Sequence, residues 1–193
     1  MALKFTRPML APLAAGREPV YVAPLSAMPN INSSTTEISK SAVIDKATKI
    51  DCFYQIGEIE FEQDTETEEE QFACEANPRE TVISTKTTAT VTIVWDQQKD
   101  LTEDINAAYN ALPEGSDVIL FIAHGHPSDQ EVKPGTVGDV YVMNVQKVKH
   151  LFAEDSKSRI RAEITLTGSI ERKNVKVVAG SSPRPGAGDS PIG

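Results

Sequence analysis

Lysine and arginine are missing from the whole stretch between Ile50 and Pro78, which nevertheless holds ten carboxylates. The chain of 193 residues has a formal charge of −9, so everything outside that stretch sums to about +1. The acidity belongs to one segment. Cysteine is nearly absent, and Cys52 and Cys74 are too few for a disulfide framework. Cys52 falls on the apolar parity of a strand pattern, which predicts a buried free thiol. No apolar run approaches the ~20 residues of a bilayer-spanning helix, so no membrane partner is expected. Gly-x-Ser-x-Gly, Walker A and Gly-x-Gly-x-x-Gly patterns are absent, and no nucleophile signature surrounds either cysteine. A sequence pI near 4.9 argues against gripping nucleic acid through its phosphates, which takes clustered Lys and Arg.

What is present is strand pattern. Ile50 to Glu62 and Arg79 to Trp95 are rich in β-branched and aromatic residues, which suit a pleated, half-buried surface. They read as a long hairpin whose connector, 62–71, is acidic. In the first strand, Ile50, Cys52, Tyr54 and Ile56 share one parity, whereas Ile59 and Phe61 share the other. A β-bulge at Gly57 would bring both sets to one face. Glu58, Glu60 and Glu62 then project together from the opposite face. A solvated face is the plain reading of such a row. Like charges in line repel, however, and a strand selected only for solubility mixes signs, so this face is a candidate functional surface.

Taken in order, the chain opens with Lys4 and Arg7 before a short apolar stretch that resembles a signal peptide. Pro8 and Pro12 break that stretch, so it reads as an extended arm over 1–16. Val20–Val22 can add to a sheet edge, and 26–41 reads as loop. Asp100 and Glu103 fit a capping box. Leu101, Ile105, Ala108, Tyr109 and Leu112 follow at helical spacing, ended by Pro113 and Gly115. The apolar run Asp117–Ala123 predicts a strand buried on both faces. Val137 to Phe152 is strand-like, with Val140, Val142 and Val148 on one side and Tyr141, Met143 and Val145 on the other. From Arg159 to Ile170 the pattern puts Ile160, Ala162, Ile164, Leu166 and Ile170 inward and Arg159, Arg161, Glu163, Thr165 and Thr167 outward. Glu171–Asn174 reads as a turn into a last strand, Val175–Val178. The Gly/Pro/Ser-rich segment 180–193 lacks the apolar residues needed to order itself. The expected fold is mainly β, with some α: an antiparallel sandwich or barrel over 17–179 with one flanking helix.

Chemistry has one candidate, His124-x-His126, with Asp129 and Glu131 near enough in sequence to complete a zinc site. No third His or Cys follows at a familiar spacing, and His150 stands alone on a strand. Glu58, Glu60 and Glu62 are same-face neighbours on one strand, whereas glycosidase carboxylates oppose each other across a cleft. No enzyme, metal or cofactor is expected.

Together the polar arm, the hairpin with its acidic connector, the helix feeding Val118–Ala123, and the strands Gly138–Val145 and Arg161–Gly168 resemble the major tail (tail tube) protein of long non-contractile-tailed bacteriophages. The resemblance spans roughly residues 17–180. It implies a β-sandwich whose copies form hexameric rings, stacked into a tube whose lumen is typically negative. It also implies a virion protein of the tail, assembled in the bacterial cytoplasm, with no catalytic residues. Its partners would be itself, the tape measure, tail terminator and tail-tip proteins, and DNA that transits without specific binding. On that reading Glu58, Glu60 and Glu62 line the lumen, since carboxylates repel phosphate. Asp64, Glu66, Glu68, Glu69 and Glu70 would form an inter-ring loop, with Lys147, Lys149, Arg159 and Arg161 as basic partners. Two other classes stay open: a decoration or adhesion module built on a similar sandwich, and a metal-dependent hydrolase at His124 and His126.

Overall fold

The computed structural model describes residues 18–32, 34–54, 59–70, 79–101, 103–151 and 161–180. Its strands are β1 (Val20–Pro24), β2 (Glu37–Ser39), β3 (Thr48–Lys49), β4 (Ile59–Glu70), β5 (Arg79–Val94), β6 (Asp117–Ile122), β7 (Val137–Leu151) and β8 (Arg161–Val178). One short helix, α1 (Ala107–Asn110), lies between β5 and β6. The strands form one eight-stranded sheet in the order β3-β1-β6-β7-β8-β5-β4, with β2 added to β8. Among the described residues only the β2–β8 pair is parallel.

β6 shows how the sheet is packed. Its apolar run is buried throughout, and alternate residues serve two cores. Val118, Leu120 and Ile122 join a first core with Val20, Val22, Val91 and Ile93. Ile119 and Phe121 join a second, with Tyr21, Ile38, Val175 and Val177. β1 and β5 are four places apart in the sheet order, about 19 Å if the sheet were flat. Their side chains meet in one core, so the sheet curls over on itself. This is the expected mainly antiparallel β fold with a flanking helix.

Several local expectations change. The helix shrinks to one 3-10 turn, Asp104–Asn106, and the four residues of α1. Asn106 explains this: its buried amide donates to the carbonyls of Asp96, Lys99 and Asp100 and accepts from the Asp96 N–H. The residues meant to open the helix are thereby held as a loop, and no side chain caps α1. Leu101 and Ile105 are left exposed. Ile50–Tyr54 is not strand. The Phe53 N–H closes a turn on the Ile50 carbonyl, Val94 N–H bonds the Phe53 carbonyl, and Cys52 is exposed rather than buried. Gly57 and the bulge expected there lie outside the described residues. Residues 26–41 include β2, and Glu171–Asn174 is no turn. β8 runs straight through it, with Asn174 at positive φ (59°) and its N–H bonded to Asp139.

β8 is also where the sheet changes character. Ala162, Ile164 and Leu166 feed the first core, and Val175 and Val177 the second. Gly168 sits between the two stretches, where a Cβ would collide with the Val142 carbonyl.

Candidate functional site

The second core covers only part of the outer face of the sheet. Over β4, β5, the first half of β8 and the last half of β7, the described side chains pointing away from the first core are mostly polar, and the apolar exceptions Val94 and Leu151 flank Arg161 in one row. Ile59 and Phe61 pack against that core, so Glu60 and Glu62 face outward and are exposed, as the alternation requires. Strand register then builds rows across the sheet. Glu60 stands opposite Thr90, Thr90 opposite Thr165, and Thr165 opposite Lys147. The next row runs Glu62, Thr88, Thr167. On the other side Thr92, Glu163 and Lys149 are aligned. The surface is a threonine ridge with carboxylates along β4 and lysines along β7.

The lysines were not expected on this face. Plain alternation puts Lys147 and Lys149 with Tyr141 and Met143. A register shift between Val145 and Lys147 inserts a bulge, sends Val148 to the first core, and turns both lysines outward. Lys86, opposite Asp64, adds a third exposed cation. The carboxylates therefore do not stand on a face without bases.

Asp64, Glu66, Glu68, Glu69 and Glu70 are not in a loop: all belong to β4, paired to β5 as far as Glu70 opposite Arg79. Threonine alternating with acid, facing the Thr-rich β5, gives strand propensity that outweighs local charge repulsion. β8 joins β5 only from Thr87 onward, so Asp64–Glu70 and Arg79–Lys86 continue past the sheet as a two-stranded ribbon. Arg161 is buried, 3% exposed, and cannot act as the outward basic partner that its parity suggested. Arg159 and Glu58 lie outside the described residues.

The histidines do not converge. His124 is held between Glu18 (Nδ1 to Oε1, 3.2 Å) and Asp139 (Nε2 to Oδ2, 3.4 Å), while His126 Nδ1 contacts its neighbour's carbonyl at Pro127. Glu131 pairs instead with Lys40 at 2.7 Å, whose ammonium is held above its ordinary pKa by hydrogen bonds to Glu131 and Asp45. Lys49 Nζ donates to the Ser128 carbonyl. These contacts tie the β6–β7 loop to the body, and no group of three or more metal-ligating side chains occurs among the described residues. A cleft beside β1 and β6, lined by Val22, Lys46, Asn110 and Asp117, holds about 200 Å³, below the roughly 300–1,000 Å³ of ordinary ligand sites. Among the described residues no helix is long and apolar enough to cross a membrane.

Comparison with known proteins gives a family match and structural neighbours. The family model described as "Phage tail tube protein" matches residues 8–180. Among solved structures, the tail tube of SPP1, determined by solid-state NMR and electron cryomicroscopy, aligns over 86% of this chain and 81% of its own, with 11% identity and a TM-score of 0.47. No curated protein sequence matches.

Proposed function

The chain belongs to the phage tail tube protein family, and from that premise we propose that its copies close into rings, stacked into a tube, with the polar face of β4, β5, β8 and β7 turned to a channel that conducts DNA. Six copies per ring is what the family resemblance implies. Tail tube proteins assemble with themselves into stacked polymers, and the chain is a structural component of the virion tail. The observation that carries the channel assignment is the uncovered face itself: four adjacent strands bury one side in the first core and present threonines and charges on the other.

A channel wall must not hold DNA. Threonine hydroxyls carry no charge, and Glu60 and Glu62 repel phosphate. A single repulsion is worth about 1 kcal/mol at 4 Å in bulk water, but a narrow channel sums many. The ribbon of Asp64–Glu70 and Arg79–Lys86 extends beyond the sheet and is suited to reach the next ring, since a lone two-stranded hairpin is marginal in water. Segments 1–16 and 180–193 serve contacts between copies, outside the domain of 17–179. The tape measure, tail terminator and tail-tip proteins are the further partners, assembly takes place in the host cytoplasm, and the chain does no catalysis.

Negative-stain microscopy of the concentrated protein tests the reading. Hollow tubes of uniform diameter are expected, and a protein that stays monomeric at every concentration contradicts it.

A further inference from the structure

One imidazole fastens the start of β1. His124 follows β6, and each of its ring nitrogens meets a carboxylate: Nδ1 lies 3.2 Å from Glu18 Oε1, and Nε2 lies 3.4 Å from Asp139 Oδ2. Glu18 stands two residues before β1, and Asp139 belongs to β7, opposite Ile122. The second oxygen of Asp139 is also committed, since Oδ1 accepts the N–H of Asn174 at 3.0 Å. Asn174 is the residue of β8 with positive φ. One ring thus joins the entry of β1 to β7 and, through Asp139, to β8.

Protonation decides whether this arrangement holds. A neutral imidazole carries one N–H, so it can donate to only one of the two carboxylates. Its other nitrogen then turns a lone pair toward a carboxylate oxygen, and the two repel. The imidazolium carries an N–H on each side and a charge that attracts both partners. A metal ion does not suit the same three side chains, because the two carboxylates lie at different ring nitrogens and do not converge on one point. His124 and Glu18 are both about half exposed, so protons reach the ring from solvent.

The groups around the pair are accounted for on each neighbouring element. On the same loop, His126 turns its Nδ1 to the Pro127 carbonyl, and Asp129 is exposed. On β8, Glu171 pairs with Lys173 at 3.1 Å. After β3, Asp51 pairs with Lys49 at 3.4 Å. Tyr54 feels the charge of Glu18, and Tyr141 that of Asp139. Burial, followed by the nearby carboxylates, raises both phenols above their ordinary 10.0, so both stay neutral across the histidine range.

We propose that His124 is a proton-operated latch: protonated, it fastens the entry of β1 to β7, and on losing its proton it releases Glu18. Asp139 keeps the Asn174 N–H in both states, so the release falls on the β1 side. The first bond beyond the latch runs from the Ala123 N–H to the Pro19 carbonyl at 3.2 Å, and it loosens with it. The closed form binds the proton, so the latch is complete below the ordinary histidine pKa of about 6.5 and is lost as pH rises through it. It is lost again below about pH 4, where the carboxylates take protons. Residues 1–17 join the domain here, so the latch determines whether their root is held. It needs no neighbouring copy and stands apart from the ring reading.

Amide hydrogen exchange of the unassembled subunit, read by NMR at Ala123 and Asn174, tests the latch. It is measured at about pH 5.5 and about pH 8, on either side of the ordinary histidine pKa. Dividing each rate by that of His124→Gln at the same pH removes the intrinsic pH dependence of exchange. The opening is local, so exchange reads it where a global unfolding midpoint does not. At the lower pH, Ala123 should exchange several-fold more slowly in the wild type than in His124→Gln, and at the higher pH the two should agree. Glu18→Gln changes only an exposed side chain, so it keeps the fold in play if His124→Gln is poorly folded. It should abolish the pH dependence at Ala123 while leaving Asn174 protected. A wild-type ratio that is the same at both pH values, or a Glu18→Gln chain that keeps the wild-type dependence, overturns the latch.

Discussion

Phe61 of β4 stacks on Tyr141 of β7, ring centroids 4.6 Å apart and planes 26° from parallel. The two strands are three places apart in the sheet order, about 14 Å along a flat sheet. Ring contact is possible only because the sheet curls, and the pair packs on the first core inside that curl. Any loosening of this stack would relax the curl of the sheet.

The stack makes a prediction about alkaline stability. Burial, followed by the charges of Glu171 and Asp139, pushes the Tyr141 phenol up to about 12 from its ordinary 10.0. A raised folded-state pKa means that the protonated form is the one stabilised. The contribution is therefore complete below pH 10 and is lost as pH climbs toward 12. Urea midpoints should hold steady to about pH 10 and then fall. Tyr141→Phe keeps the ring stack and should show a shallower alkaline fall. Some fall should remain, since burial also raises Tyr21 and Tyr54. Identical alkaline profiles for the two proteins would contradict this account.

Gly168 should tolerate no side chain. A Cβ there would strike the Val142 carbonyl, which is backbone and is held in the β7–β8 pairing. Gly168→Ala should cost about 1–3 kcal/mol, the range for forcing extra atoms into a packed site, and lower the melting temperature measurably. An unchanged melting curve would show that β7 can shift at this point.

Asn106 is fully buried and ties together the Asp96–Asp100 loop. Asn106→Ala leaves buried backbone groups without partners, at about 1–3 kcal/mol for such a group. The variant should melt early, and Trp95 fluorescence should change, because Trp95 packs beside the loop with Tyr109 and His150 stacked near it. Intact stability would mean that water replaces the amide.

Reversing Glu68, Glu69 and Glu70 to Lys tests the ribbon. The three lie beyond the four-stranded region, so the subunit should fold and rings should close, while stacking should fail. Single rings or short stacks are expected by microscopy, against long tubes from the wild type. Tubes of normal length would remove the ribbon from the ring-to-ring contact.

How much of this was legible in the chain follows from where local pattern decides structure. The run Asp117–Ala123 predicts a strand buried on both faces, and β6 is one; β5 ends at Val94, one residue short of the Arg79–Trp95 that its composition suggests. Outward Glu60 and Glu62 follow from parity with Ile59 and Phe61 on the core side. The lysines on the same face were hidden by a bulge, since the shift at Val145/Lys147 has no glycine to announce it. The helix is shorter than its apolar spacing predicts because the tertiary bonds of Asn106 cut it short. Asp64–Glu70 has the charge density of a connector, yet its threonines and its pairing to β5 make it strand. The burial of Arg161 depends on neighbouring strands and has no sequence signal.

Electron cryomicroscopy of assembled tubes, at a resolution that traces side chains, tests the central claim most directly. The account predicts that β4, β5, β8 and β7 form the inner wall, with Glu60, Glu62 and the threonine ridge facing the channel. Tubes in which this face lies on the outside, or is buried against another ring, would contradict it.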